Sequence, residues 1–352
     1  MAVMQKISLL ISFIFICTFS FAQKWSDIKT DAEPLVLKSV GSFYVGGETE
    51  LQTRSEMGNF FPEGHITVNQ MYVNFMVPQK QVDSTSFVFI HGITLSGKTY
   101  ETTPDGRMGW NEYFARKGHA TFVVDQVGIG RSGFNAKAYN RARNKEIEPS
   151  ELPLLFRISD ENTLLNFRFA DSLKKALVAS KFPAEAYTEF SKQSIPFTAA
   201  TVTSPDVNFS NLSLLAKDLK HTVLVSHSQS GAFPVQTALL NPEGIDALVL
   251  IEPGGTGANY TDAQVAKLKN IPVLLVFGDN IEAETGVPGH SWKEAYDGWN
   301  SLIERLKKRG GKAETFFLPQ MGIKGNSHML MMDTNNQQIA DLILAWFATN
   351  KN

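Results

Sequence analysis

The sequence predicts an α/β protein built on a mostly parallel, doubly wound sheet with an inserted helical cap. Short apolar runs alternate with longer helical segments along most of the chain. The runs lack the polar alternation of a half-exposed strand, so they suit strands buried on both faces and joined by helical crossovers. From about Gly133 to Leu219 the rhythm stops, over a stretch too long for a loop in a compact domain.

At the N-terminus, Lys6 precedes the apolar run Ile7–Phe21, and Ser20-Phe21-Ala22 puts small residues at cleavage positions. Residues 1–22 therefore read as a signal peptide cut before Gln23, because the run is short for a bilayer span. A retained anchor is the competing reading; lipidation of Cys17 is disfavoured by the bulky Ile16 before it. Cys17 is the sole cysteine, so the mature chain is expected to carry no disulfide and no thiolate metal site. Next, Leu35–Val45 and Ile66–Val77, rich in Val, Phe and Tyr, predict a pair of antiparallel strands. Buried strands follow at Ser86–Ile90, Ala120–Val124, Thr222–Val225, Ala247–Ile251, Ile271–Phe277 and Glu314–Leu318, with Pro272 tolerated at a strand start. Thr163–Ser180 and Ala184–Gln193 are the helical pieces of the expected cap.

Composition removes several function classes. The 352 residues are 43% hydrophobic and 19% charged with a net charge of −2, and no basic stripe exists for nucleic acid or an anionic membrane surface. No histidine–carboxylate cluster has metal-ligand spacing. The Gly-x-Gly within Asp125–Ser132 precedes no phosphate-binding helix start, so a dinucleotide site is rejected and no cofactor is expected.

Strand Thr222–Val225 runs into Ser226-His-Ser-Gln-Ser-Gly231 and then a helix. A nucleophilic serine at a strand-to-helix turn needs small residues two before and two after it. Ser228 has Ser226 and Ser230 there, in place of the usual glycines; Ser230 itself would lie a turn inside the helix. A serine-rich helix cap is the bland alternative. The fold order then asks for an acid and a histidine. His328, in Gly325-Asn-Ser-His328 after the last predicted strand, can reach back to the strand tips as general base, whereas His290 precedes a helix and suits a surface or pocket-lining role. Two carboxylates compete for the acid. Glu252 ends the strand Ala247–Ile251; Asp279 ends the next, one residue after Gly278, but lacks the three-residue spacing of the usual acid and suits a structural turn. Backbone N–H groups of Gln229 and Ile93, the latter in the turn His91-Gly92-Ile93-Thr94, are placed to receive a developing oxyanion. His91 is expected to be structural.

Together these pieces resemble the α/β-hydrolase superfamily over nearly all of the mature chain. The segment Ser96–Trp110, with Ser226–Gly231 and Gly325–His328, is similar to a group of exported bacterial esterases. That resemblance implies a Ser–His–Glu triad, hence Glu252 over Asp279, and the backbone donors Ile93 and Gln229. Some relatives carry neighbouring cysteines in the oxyanion loop; this chain has Ile93 and Thr94, which leaves the backbone donors in place. The expected function is hydrolysis of a small-molecule ester with an apolar portion, outside the cytoplasm in periplasm or medium. Amide or lactone hydrolysis uses the same machinery, and a catalytically silent binding protein would keep only the fold.

Overall fold

The Val- and Tyr-rich stretches near the N-terminus become a long antiparallel pair, β1 (Leu37–Gln52) and β2 (Gly64–Pro78), registered from Leu37↔Pro78 to Gln52↔Gly64. The computed structural model describes residues 23–29, 33–172, 175–176, 180–199 and 205–351. The expected signal peptide, residues 1–22, lies outside the described residues.

Six further strands follow: β3 (Ser86–Ile90), β4 (Ala120–Asp125), β5 (Thr222–His227), β6 (Ile245–Ile251), β7 (Val273–Phe277) and β8 (Ala313–Phe317). They complete one eight-stranded sheet in the order β1-β2-β4-β3-β5-β6-β7-β8. β2 meets β4 antiparallel, and every later pairing is parallel. Phe87, Val88, Phe89 and Ile90 of β3 are all fully buried, as a central strand covered on both faces requires. One rung crosses the sheet through Val124, Ile90, Ser226, Leu250, Leu275 and Thr315.

Helices α1 (Trp110–Arg116), α2 (Asp206–Leu219), α3 (Phe233–Leu240), α4 (Asp262–Leu268), α5 (Trp292–Lys308) and α6 (Asn336–Asn350) cover the two faces. α1 and α6 pack on one side and α2 to α5 on the other. α5 shows why: Trp292, Ala295, Trp299, Leu302, Ile303 and Leu306 are its buried residues, a helical stripe. Each such large apolar side chain contributes about 1.5–3 kcal/mol by leaving water.

Between β4 and α2 the chain forms the cap. Ala184–Gln193 is helical as expected over Tyr187–Ser191. Among the described residues of Thr163–Ser180 only the first four are helical: the helix Asp160–Asn166 ends at Phe167, Arg168 takes a left-handed φ of 58°, and Ala170–Ser172 pairs as a short strand with Lys175–Ala176. The cause is tertiary, because the Arg168 side chain is drawn into the protein centre. Asp206–Leu219, inside the expected insertion, packs in the main core through Leu212, Leu215 and Ala216.

Candidate active site

Ser228 follows the tip of β5 with φ 58° and is 5% exposed. A left-handed non-glycine residue costs about 1–3 kcal/mol and persists only where its surroundings enforce it. Here Ser230 clamps the turn: its hydroxyl accepts from the His227 N–H at 3.1 Å and shares its proton between the carbonyls of Ile90 (3.1 Å) and His227 (3.0 Å). Ser230 is fully buried and committed to backbone. Gly231 has no choice of side chain, since a Cβ there would lie 2.3 Å from Cβ of Pro253.

The loop after β3 presses on this turn. A Cβ on Gly92 would fall 2.9 Å from Cβ of Ser228, so only glycine lets Ile93 come this close. Among the described residues no acceptor takes the Ile93 N–H. The Thr94 carbonyl accepts from the N–H of the cap residue Ile195 at 2.8 Å. His91 braces the loop. Its Nε2 accepts from the Gln126 N–H at 3.0 Å, so Nδ1 carries the proton and donates to the Gly92 carbonyl at 2.8 Å. The Gln126 amide ties the His91 carbonyl (2.6 Å) to the Gln229 side chain (3.0 Å).

His328 and Glu252 meet beside His227, the residue before Ser228; Nε2 of His227 lies 3.0 Å from the His328 carbonyl. Nδ1 of His328 lies 3.1 Å from Oε2 of Glu252, and both side chains are completely buried. Glu252 leaves β6 with φ 47°, which swings its carboxylate across the tip of β7. Its Oε1 accepts from Nη2 of Arg168 at 2.7 Å and from the Gly278 N–H. The imidazole is packed by Trp292, His227 and Phe167, with ring centroids 4.1, 4.6 and 5.0 Å away. Its Nε2 has no hydrogen-bond partner among the described residues. Burial, reinforced by the Arg168 and His290 charges, holds its pKa well below the ordinary 6.5. The ring is thus neutral at pH 7; with Oε2 of Glu252 facing Nδ1, the proton sits on Nδ1 and Nε2 keeps a lone pair free to accept one.

Asp279 does something else. Its Oδ1 and Oδ2 accept from the N–H groups of Asn280 and Gly325, each at 2.8 Å, and its own N–H donates to the Asn326 carbonyl at 2.9 Å. It staples the loop that carries His328. Asp333 secures the same loop through the Ser327 N–H (2.8 Å), the Ser327 hydroxyl (2.7 Å) and the Asn326 amide (2.8 Å), and burial pushes its carboxyl up to about 6. The segment Ser96–Trp110 braces the loop beyond: Arg107 donates to the carbonyls of Met332 (2.6 Å) and Asp333 (2.8 Å), and the Trp110 indole to that of Asn336 (2.9 Å).

Ile93, Ser228 and Gln229 open onto one cavity of about 570 Å³. Phe156, Ile158, Val287 and Trp299 make its walls largely apolar, and His290 lines it. Among the described residues, no group of three or more His, Cys, Asp or Glu side chains is placed to hold a metal ion.

Sequence reasoning missed Arg168 and Trp292, which touch the acid and the base respectively. A signal existed for the first. Arg168 stands alone among Leu164, Leu165, Phe167 and Phe169, and an arginine in an apolar tract is buried only when paired.

No family model matches the chain. The atomic-resolution structure of a novel bacterial esterase superposes with a TM-score of 0.85 at 42% sequence identity, covering 92% of this chain and 99% of that one. The probable secreted lipase phiG of a fungal species (strain ATCC 74256) is 24% identical over 353 residues, covering 83% of this chain and 90% of the lipase.

Proposed function

The chain belongs to the α/β-hydrolase superfamily and is a carboxylic ester hydrolase; we propose that Ser228 is its nucleophile, His328 its general base and Glu252 the acid that orients the base. Ser228 Oγ attacks the ester carbonyl while His328 Nε2 takes its proton. The N–H groups of Ile93 and Gln229 receive the oxyanion of the tetrahedral intermediate. His328 then protonates the departing alcohol, and water repeats the sequence on the acyl-enzyme. Glu252 keeps the proton on Nδ1 and stabilises the imidazolium that forms at each step.

The observation that carries this reading is a left-handed serine at a strand tip that lines the cavity, with a buried carboxylate–imidazole pair packed on the preceding residue, His227. The cavity walls favour an ester with an apolar portion. Ser228→Ala should lower kcat by about a millionfold and abolish fluorophosphonate labelling with an unchanged circular dichroism spectrum. A labelled Ser228→Ala beside an unlabelled Ser230→Ala would overturn the assignment.

Export is part of the proposal, supported by the secreted relative and by the leader-like residues 1–22. No helix among the described residues is long and apolar enough to cross a membrane. Intact mass of protein recovered from the cell envelope or medium should begin at Gln23; a mass including Met1–Ala22 refutes cleavage.

A further inference from the structure

We propose that Arg168 is a positioning residue for the acid–base pair, carried in by the cap, so that Glu252 and His328 are set only while the cap is seated. This rests on the reading of those two residues given above. Three consecutive cap residues each hold one part of the pair's surroundings. The Asn166 carbonyl accepts from the Trp292 indole at 2.6 Å, and Trp292 is the ring packed closest on His328. The Phe167 carbonyl accepts from the backbone N–H of His328 at 2.9 Å. Arg168 donates from Nη2 to Glu252 at 2.7 Å and from Nε to the Asp279 carbonyl at 2.8 Å. Its guanidinium also lies 5.5 Å from the Trp292 ring centroid.

The division of labour on the carboxylate is what makes this positioning more than a salt bridge. Arg168 and the Gly278 N–H occupy Oε1, leaving Oε2 to His328. Rotation of the carboxylate about its own axis would break three bonds together. A planar fork anchored at Nε and Nη2 fixes direction as well as charge, which a lysine ammonium on a flexible stem does only in part. Arg168 is 1% exposed and holds a left-handed backbone, so the cap bends sharply to deliver it.

The charge has a separate consequence. A cation this near disfavours the imidazolium, as does His290 from the approach to α5; the Glu252 carboxylate from β6 acts in the opposite sense, His227 from β5 packs on the ring, and Asp333 lies on the same loop as His328. Removing the Arg168 cation therefore lets His328 protonate at a higher pH. A purely structural arginine would lower the activity plateau and leave the pH limb where it was.

The test is the pH profile of kcat/KM for an activated ester, in wild type, Arg168→Met, Arg168→Lys and Glu252→Gln, with rates referred to folded protein by circular dichroism and thermal melting. Arg168→Met should lose roughly 10- to 100-fold on the plateau, and its acid limb should move up by about one pH unit. Arg168→Lys should return the limb to its wild-type place while recovering only part of the plateau. An Arg168→Met enzyme with an unmoved acid limb overturns the inference, as does an Arg168→Lys limb displaced as far as that of Arg168→Met. Should Arg168→Met fail to fold, Arg168→Lys decides alone: a plateau equal to wild type would refute directional positioning. A fully active Glu252→Gln would unseat the triad acid itself, an outcome distinct from the failure of Arg168.

Discussion

β6 and β7 are neighbours that each end in a carboxylate, at Glu252 and Asp279, and the two corners employ it differently. Glu252 divides its oxygens between a fixed cation and an imidazole, a group whose own charge changes in the reaction proposed above. Asp279 faces only backbone N–H groups, which never change charge. The longer side chain sits on the more distant strand and reaches across; the shorter one folds back on its own turn. Proximity to the site is shared by both. In the proposed assignment, what separates the triad acid from the turn staple is the titration of the partner.

The largest effect that would break this comparison is at Glu252. Glu252→Gln should reduce kcat by about ten-thousandfold, because an amide favours the wrong imidazole tautomer. The variant must match wild type by circular dichroism. If instead Asp279→Asn is the inactive, well-folded variant, the roles are reversed. Asp279→Asn is expected to keep kcat within roughly tenfold but to cost about 1–3 kcal/mol in urea unfolding, since an NH₂ would oppose one of the two backbone N–H donors.

The smallest effect sharpens the contrast. His227 and His328 are buried, and burial keeps both pKa values well below 6.5. Below that value the unfolded chain binds more protons than the folded one, so stability falls as the pH drops through 6.5 and is retained above it. Melting temperature should therefore decline between about pH 7 and pH 5. Asp279→Asn should leave that slope unchanged, because neither of its carboxylate oxygens touches an imidazole; a flattened slope in this variant would count against the separation of the corners.

Legibility followed the range of the forces involved. β3 runs over Ser86–Ile90 as its apolar run predicts, since burial on both faces leaves an uninterrupted signature in the residues themselves. The turn at Ser228 was readable because the steric demand for small neighbours is local. Asp279 was readable as a turn residue from its spacing to Gly278. The cap was harder. Thr163–Ser180 carries helix-forming residues, yet the helix ends at Asn166 because Arg168 has partners 84 and 111 residues further along the chain. No window of sequence contains that pull. Nothing near Phe167 or Trp292 in the chain says that both rings pack on His328.

The rung through Ile90, Ser226, Leu250 and Leu275 has a further meaning. Gly92, Ser228 and Glu252 each stand two residues beyond it on adjacent strands, and Asp279 four beyond. Their spacing is therefore inherited from strand pairing and not built separately by each loop. A slip of one residue on β5 would turn Ser228 to the opposite face of the sheet, so no partly registered chain carries a weakened version of the site. Catalytic competence is in this sense a cooperative property of the ladder, gained or lost with the whole sheet at once.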